Sequence, residues 1–168
     1  MKLDRTPVTV MLLLAAVAAA QLLHYYTRLP ETIAVHFGPS GQADGWSGKA
    51  TFFTVFAVIE AAIALGGLAM ARFGERIPPA LLNIPNRDHW LSEDRRAESL
   101  SFFWTQTVWI EVMTLAFLIA VAEFVFRANL AGGPPRLPVD FSIVLIAFIL
   151  GVAYQSIRIV RKFSRPHA

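Results

Sequence analysis

Residues 50–71 read ATFFTVFAVIEAAIALGGLAMA. One acid, Glu60, interrupts an otherwise apolar run long enough, at about 20 residues, to cross about 30 Å of hydrocarbon. Three further runs have the same character: 7–26, roughly 100–126, and 141–160. None alternates polar and apolar residues, so none reads as a barrel strand. In lipid a spanning segment must satisfy its own backbone groups, which makes each run a helix. The expected fold is therefore an all-α membrane protein, a bundle of four transmembrane helices in one domain over residues 1–168.

Composition agrees. Of 168 residues, 55% are hydrophobic and 16% charged, against about 25% charged in ordinary soluble domains, and the mean hydropathy is +0.52. The charges cluster between the runs. With no cysteine, disulfides, thiolate metal sites and cysteine nucleophiles are excluded. The net charge of +3 does not signal nucleic acid, because the basic residues are distributed as topology signals. Lys2, Arg5, Arg72, Arg76, Arg87, Arg95, Arg96, Arg158, Arg161, Lys162 and Arg165 fall on one side of the spans; Arg28, Lys49, Arg127 and Arg136 fall on the other. The side richer in Lys and Arg is cytoplasmic. Both termini and segment 72–99 are thus expected inside a bacterial cytoplasmic membrane, with loop 27–49 outside. Lys2 and Arg5 before an apolar run, with Ala18-Ala19-Ala20 after it, also fit a cleaved signal peptide. Against that, Gln21-Leu22-Leu23 extends the run, and Tyr25 and Tyr26 sit where an aromatic belt belongs.

The exterior loop carries the densest pattern. Ile33, Val35 and Phe37 alternate with Thr32, Ala34 and His36, which predicts a short strand. Gly38-Pro39, Ser40-Gly41 and Asp44-Gly45 are turn signals, so the loop is expected to form a compact cap over the bundle, with Trp46 near headgroup level. His36 and Asp44 could bind a ligand, move a proton or serve as acid and base. The plainer alternative is that Asp44 caps a turn and His36 bonds locally. One His and one Asp are too few for a metal site, so no metal and no cofactor is expected.

The pattern Leu29-Pro30, His36-Phe37, Gly41, Asp44-Gly45-Trp46 and Lys49 resembles the signature of the SdpI-like bacterial membrane proteins, small multi-span proteins related to an immunity protein against a secreted killing toxin. The segment Leu82-Asn83-Ile84-Pro85-Asn86-Arg87-Asp88-His89-Trp90-Leu91 is similar to one found in a subset of that family. The resemblance implies a multi-span envelope protein, with a peptide toxin or another envelope ligand as the partner of the loop. The immunity proteins themselves are longer, with more spans.

Within segment 72–99, Pro78, Pro79 and Pro85 forbid a continuous helix. Asn83, Asn86, Arg87, Asp88 and His89 form a candidate polar cluster in which Arg87 could hold a phosphate or carboxylate; Arg95, Arg96 and Glu98 read as a solvated helix face. Ser92, followed by Glu93 and Asp94, predicts an N-cap and one long helix from about Glu93 to Phe126.

Inside the spans, Glu60 lies about 15 Å from one end of its run and Glu111 about 16 Å from the opposite end of the next, at 1.5 Å per residue. Two carboxyls near mid-depth on sequential antiparallel helices could meet. An ionised acid there costs about 2.5–3.5 kcal/mol on insertion scales, so such residues turn inward and mark functional sites by default. Thr107, Thr114, Gln106, Tyr154 and Gln155 are candidate partners, and bridging two helices is the structural alternative. Ala15/Ala19, Ala62/Gly66 and Gly67/Ala71 have small-xxx-small spacing for close packing. His24 and Glu123, near the exterior ends of their spans, could join His36 and Asp44.

Three functions are compatible with these features: an envelope protein that binds or senses a ligand through the loop, as in immunity; a small proton- or cation-coupled transporter built on Glu60 and Glu111, for which four spans would need a homo-oligomer; and an enzyme acting on a lipid-linked substrate through His36, Asp44 or Glu123. No nucleophile elbow or paired-His zinc motif supports the last.

Overall fold

A computed structural model describes residues 5–165; Lys2, which was counted in the charge balance, lies outside them. The chain runs α1 (Thr6–Tyr26), β1 (Thr32–Phe37), β2 (Ala43–Gly48), α2 (Lys49–Phe73), two short 3-10 turns (Gly74–Arg76 and Pro79–Leu81), α3 (Arg87–Trp90), α4 (Arg96–Leu130) and α5 (Asp140–Ser164). Four of the helices are long and apolar enough to cross a membrane.

They do not form a closed square. α1, α2 and α4 pack on one another as a three-helix core, while α5 lies along α4 and builds no comparable face with α1 or α2. The α4–α5 seam stacks Phe117 on Phe148 at 4.4 Å between ring centroids. Most of α5's apolar surface, including Ile143, Ile146, Leu150 and Ile157, stays exposed, as lipid-facing residues do.

Three buried clusters run down the core. At the hairpin end Leu29, Ile33, Phe52, Phe53, Ala122, Val125 and Phe126 pack together, with Phe53 stacked on Phe126 at 5.2 Å. The middle holds Met11, Ala64, Val108, Val112 and Leu115. At the far end Leu82, Ile84, Trp90, Leu100, Trp104 and Phe163 gather. Between such helices in lipid, attraction comes from close packing and hydrogen bonds rather than from escaping water.

Two local features differ from the sequence expectation. Ser92 does not cap a helix starting at Glu93: its hydroxyl donates to the His89 carbonyl at 3.0 Å, closing the turn after α3, and the regular helix begins at Arg96. The segment 43–48, in which Asp44-Gly45 reads as a turn signal, is a second strand antiparallel to β1. Ala-Asp-Gly-Trp-Ser-Gly is poor in strand-forming residues, and what makes it a strand is pairing with β1, an effect of context that propensity does not capture.

Candidate functional site

The hairpin is anchored by residues on every side of it. Lys49, at the first position of α2, is only 9% exposed. Its Nζ donates to the Leu29 carbonyl at 3.2 Å, pairs with Glu31 at 2.9 Å and lies 5.1 Å from the centre of the Tyr26 ring. One cation thus ties the end of α1, the start of β1 and the start of α2 together. Asn129 of α4 clamps the free edge of β1: its Oδ1 accepts from the Ala34 N–H at 2.8 Å and its Nδ2 donates to the Ala34 carbonyl at 3.0 Å. A side-chain amide offers one acceptor and one donor, as a peptide group does, so Asn129 substitutes for a neighbouring strand.

The turn end docks on the link between α4 and α5. Gly41, at φ +79°, sits in the left-handed region open to glycine, and its carbonyl accepts from the Leu137 N–H at 2.8 Å. A methyl group there would stand 2.9 Å from the Leu137 carbonyl oxygen. The Arg136 guanidinium donates to the Ser40 carbonyl at 3.1 Å. Between turn and link runs an open groove of about 590 Å³, walled by Phe37, Pro39, Arg136, Leu137, Val139 and Phe141 among others.

His36 and Asp44 meet across the two strands through Nδ1 and Oδ1. Gly45 stands opposite His36, and a Cβ at Gly45 would lie 2.8 Å from the His36 Cβ, so the close crossing that brings the pair together needs glycine. The pair remains in the open, with side chains 74% and 52% exposed. Trp46 is also well exposed. Of the loop pattern, then, Gly41, Gly45 and Lys49 serve the fold, and His36, Asp44 and Trp46 are presented outward.

The segment between α2 and α4 leans on the end of α5. Asn86, at φ +53°, and Trp90 both donate to the Phe163 carbonyl, at 2.9 and 3.0 Å. They thereby satisfy a carbonyl in the last turn of α5, where helix carbonyls lack internal partners. Asn83, Pro85, Arg87 and Asp88 point to the exposed side; Arg87 and Asp88 approach only to 3.7 Å.

Within the spans the two acids do not meet. Glu111 lies against α2 at Gly67, where a methyl group would collide with Glu111 Oε2 and with Met11. Glu60 is seven positions away along α2, about 10 Å at the helical rise, and faces α1. No hydrogen bond from the described residues reaches either oxygen of Glu60, or Glu111 Oε2. Thr107 and Thr114 bond back to the Phe103 and Ile110 carbonyls at 3.0 and 2.9 Å. Gln155 is buried and takes a 3.4 Å bond from Arg158. Glu123 joins neither His36 nor Asp44. It receives Gln21 Nε2 at 2.9 Å, Tyr25 Oη at 2.8 Å and Arg127 Nε at 2.6 Å, which locks α1 to α4. Among the described residues no group of three or more His, Asp or Glu side chains is placed to hold a metal ion.

Asn129, Gln21 and Arg136 belong to no motif in the sequence. For the first two the signal is present: each is an amide set in or beside an apolar run, where an unpaired polar group is costly. Arg136 counted only as a topology charge.

A family model for a domain of unknown function, DUF1648, matches residues 11–59, a stretch that spans most of α1, the whole hairpin and the first part of α2. No curated protein and no solved structure matches the chain. The match ends within α2, covers less than half of the chain and carries no activity.

Proposed function

We propose that this is a multi-pass protein of a bacterial cytoplasmic membrane that holds its hairpin outside and binds an envelope ligand or membrane-acting peptide there, as the likeness to SdpI-like immunity proteins suggests. The observation that carries the reading is the His36–Asp44 pair. An exposed side-chain pair adds little to stability, typically about 0–1 kcal/mol, yet it sits at a strand crossing so close that Gly45 has no room for a Cβ beside His36. With Nδ1 turned to Asp44, the ring is oriented and Nε2 is left for a ligand, as an acceptor in the neutral ring and a donor when protonated. The neighbouring groove adds apolar walls and the Arg136 guanidinium, which suits a ligand with an anionic or polar end and an apolar body. The orientation is supported by the basic residues gathered at the end away from the hairpin, among them Arg72, Arg76, Arg95, Arg96 and Arg161.

Transport and enzymatic alternatives have less support. Glu60 and Glu111 stand apart, with Ala64, Val112 and Leu115 of the buried apolar cluster in that stretch of core, and among the described residues no further His, Asp or Glu joins the His36–Asp44 pair in a group of three. The test is complementation. Cells lacking the protein are challenged with membrane-active peptides from sibling strains, and carry the wild type, His36→Ala or Asp44→Asn at equal membrane levels. The expected result is protection by the wild type alone. Equal protection by all three overturns the reading.

A further inference from the structure

Glu60 lies near the middle of α2, is 4% exposed, and forms part of a notch of about 200 Å³ between α1 and α2. The rest of the lining is Ala15, Ala18, Ala19, Leu22, Ala57, Ala61 and Ala64. Neither carboxyl oxygen is bonded by any described residue. The rim residues Ala19, Ala57 and Ala61 are exposed, so the notch opens sideways between two helices, into the hydrocarbon region.

We infer that this notch is a docking site for a transmembrane helix of a second membrane protein that carries a lysine or arginine at mid-depth. Three observations select that occupant. Water-soluble ligands have no route to an opening set among apolar residues halfway along a span. At about 200 Å³, the notch is smaller than the roughly 300–1,000 Å³ of small-molecule sites, yet has room for a single long side chain. Ala15/Ala19 on one helix and Ala57/Ala61 on the other have the small-residue spacing that lets a third backbone come close.

Chemistry selects the side chain. An acid alone in hydrocarbon is costly, as is a base, and ionisable groups in spans pair with one another. A basic side chain entering over Ala57 and Ala61 brings the donors that Glu60 does not find in its own bundle. The inference is independent of the hairpin reading, because it uses a different face and different residues.

The test uses full-length protein in lipid bicelles and two synthetic transmembrane peptides, each of leucine and alanine, one with a central lysine and one with leucine in its place. Association is read by energy transfer from the peptide to a dye on the protein. The wild type is expected to bind the lysine peptide about tenfold more tightly than its control, the preference coming from pairing the lysine with the opposite charge that only the Glu60 carboxyl supplies. Glu60→Gln is expected to abolish that preference, and Ala61→Phe, which fills the notch, to abolish binding of both. Each variant is checked for wild-type helix content. No lysine preference in the wild type, or a preference that survives Glu60→Gln, overturns the proposal. A disulfide formed between two Ala61→Cys chains without peptide would assign the notch to a second copy and also overturn it. Retention of a lipophilic small molecule by the wild type and its loss from Glu60→Gln, seen by native mass spectrometry, would do the same.

Discussion

Replacing Asn129 with alanine isolates what holds the hairpin to the bundle. Ala34 is fully buried, and its N–H and C=O are both bonded by the Asn129 amide, at 2.8 and 3.0 Å. The same Nδ2 also reaches the Val125 carbonyl at 2.8 Å, but that carbonyl lies within α4. Asn129→Ala leaves two buried backbone groups of β1 unpaired, each at about 1–3 kcal/mol. With partial relaxation the expected loss is about 2 kcal/mol of hairpin docking, or about 30-fold in the opening equilibrium. Amide hydrogen exchange in detergent micelles reads it directly: the Ala34 amide should exchange about 30-fold faster, while amides in the middle of α4 keep their wild-type rates. Asn129→Asp sharpens the test, since it keeps an acceptor for the N–H but sets a carboxylate against the Ala34 carbonyl. It should protect the hairpin no better than alanine. Unchanged exchange at Ala34 in Asn129→Ala would refute the idea that this amide stands in for a strand.

Further outcomes follow from the same contacts. Lys49→Met, which leaves the Leu29 carbonyl without its donor, should lower stability by about 1–3 kcal/mol in thermal melts, whereas Glu31→Gln, at the exposed end of that ion pair, should shift it by less than about 1 kcal/mol. Gly67→Ala should make the carboxyl end of Glu111 and the methyl end of Met11 swing aside, so its effect on stability should differ between wild type and Glu111→Ala by at least about 0.5 kcal/mol in a double-mutant cycle. Asn86→Ala with Trp90→Phe, which strips both donors from the Phe163 carbonyl, should speed proteolysis after Phe163 without altering the hairpin. His36→Ala and Asp44→Asn should each change the melting temperature little, as exposed partners, while removing ligand protection.

The four long helices were legible because hydrocarbon length and backbone self-satisfaction leave no other reading of runs such as 50–71. The strand at Thr32–Phe37 showed in its alternation. Its partner did not, because Ala43–Gly48 owes its conformation to pairing and to the room left by Gly45. The resemblance singled out His36, Gly41, Asp44, Gly45, Trp46 and Lys49 as a set but could not divide them; the contacts do, by burying Lys49 and exposing the His36–Asp44 pair. The notion that Glu60 and Glu111 meet came from depth alone. Depth along a span says nothing of the direction a residue faces, and here one acid faces α1 while the other lies on α2. That Asn86 and Trp90 meet the Phe163 carbonyl was not legible, because a sequence does not reveal which helix end lies beneath them.

Ligand binding at the hairpin requires that it face out of the cell, and the absence of native cysteine makes this directly measurable. Ser40→Cys in the turn and Asp94→Cys at the opposite end are expressed separately and exposed to a membrane-impermeant thiol reagent. With the hairpin outside, Ser40→Cys labels in intact cells and Asp94→Cys only after permeabilisation; the reverse pattern places the hairpin in the cytosol and removes the proposed binding role.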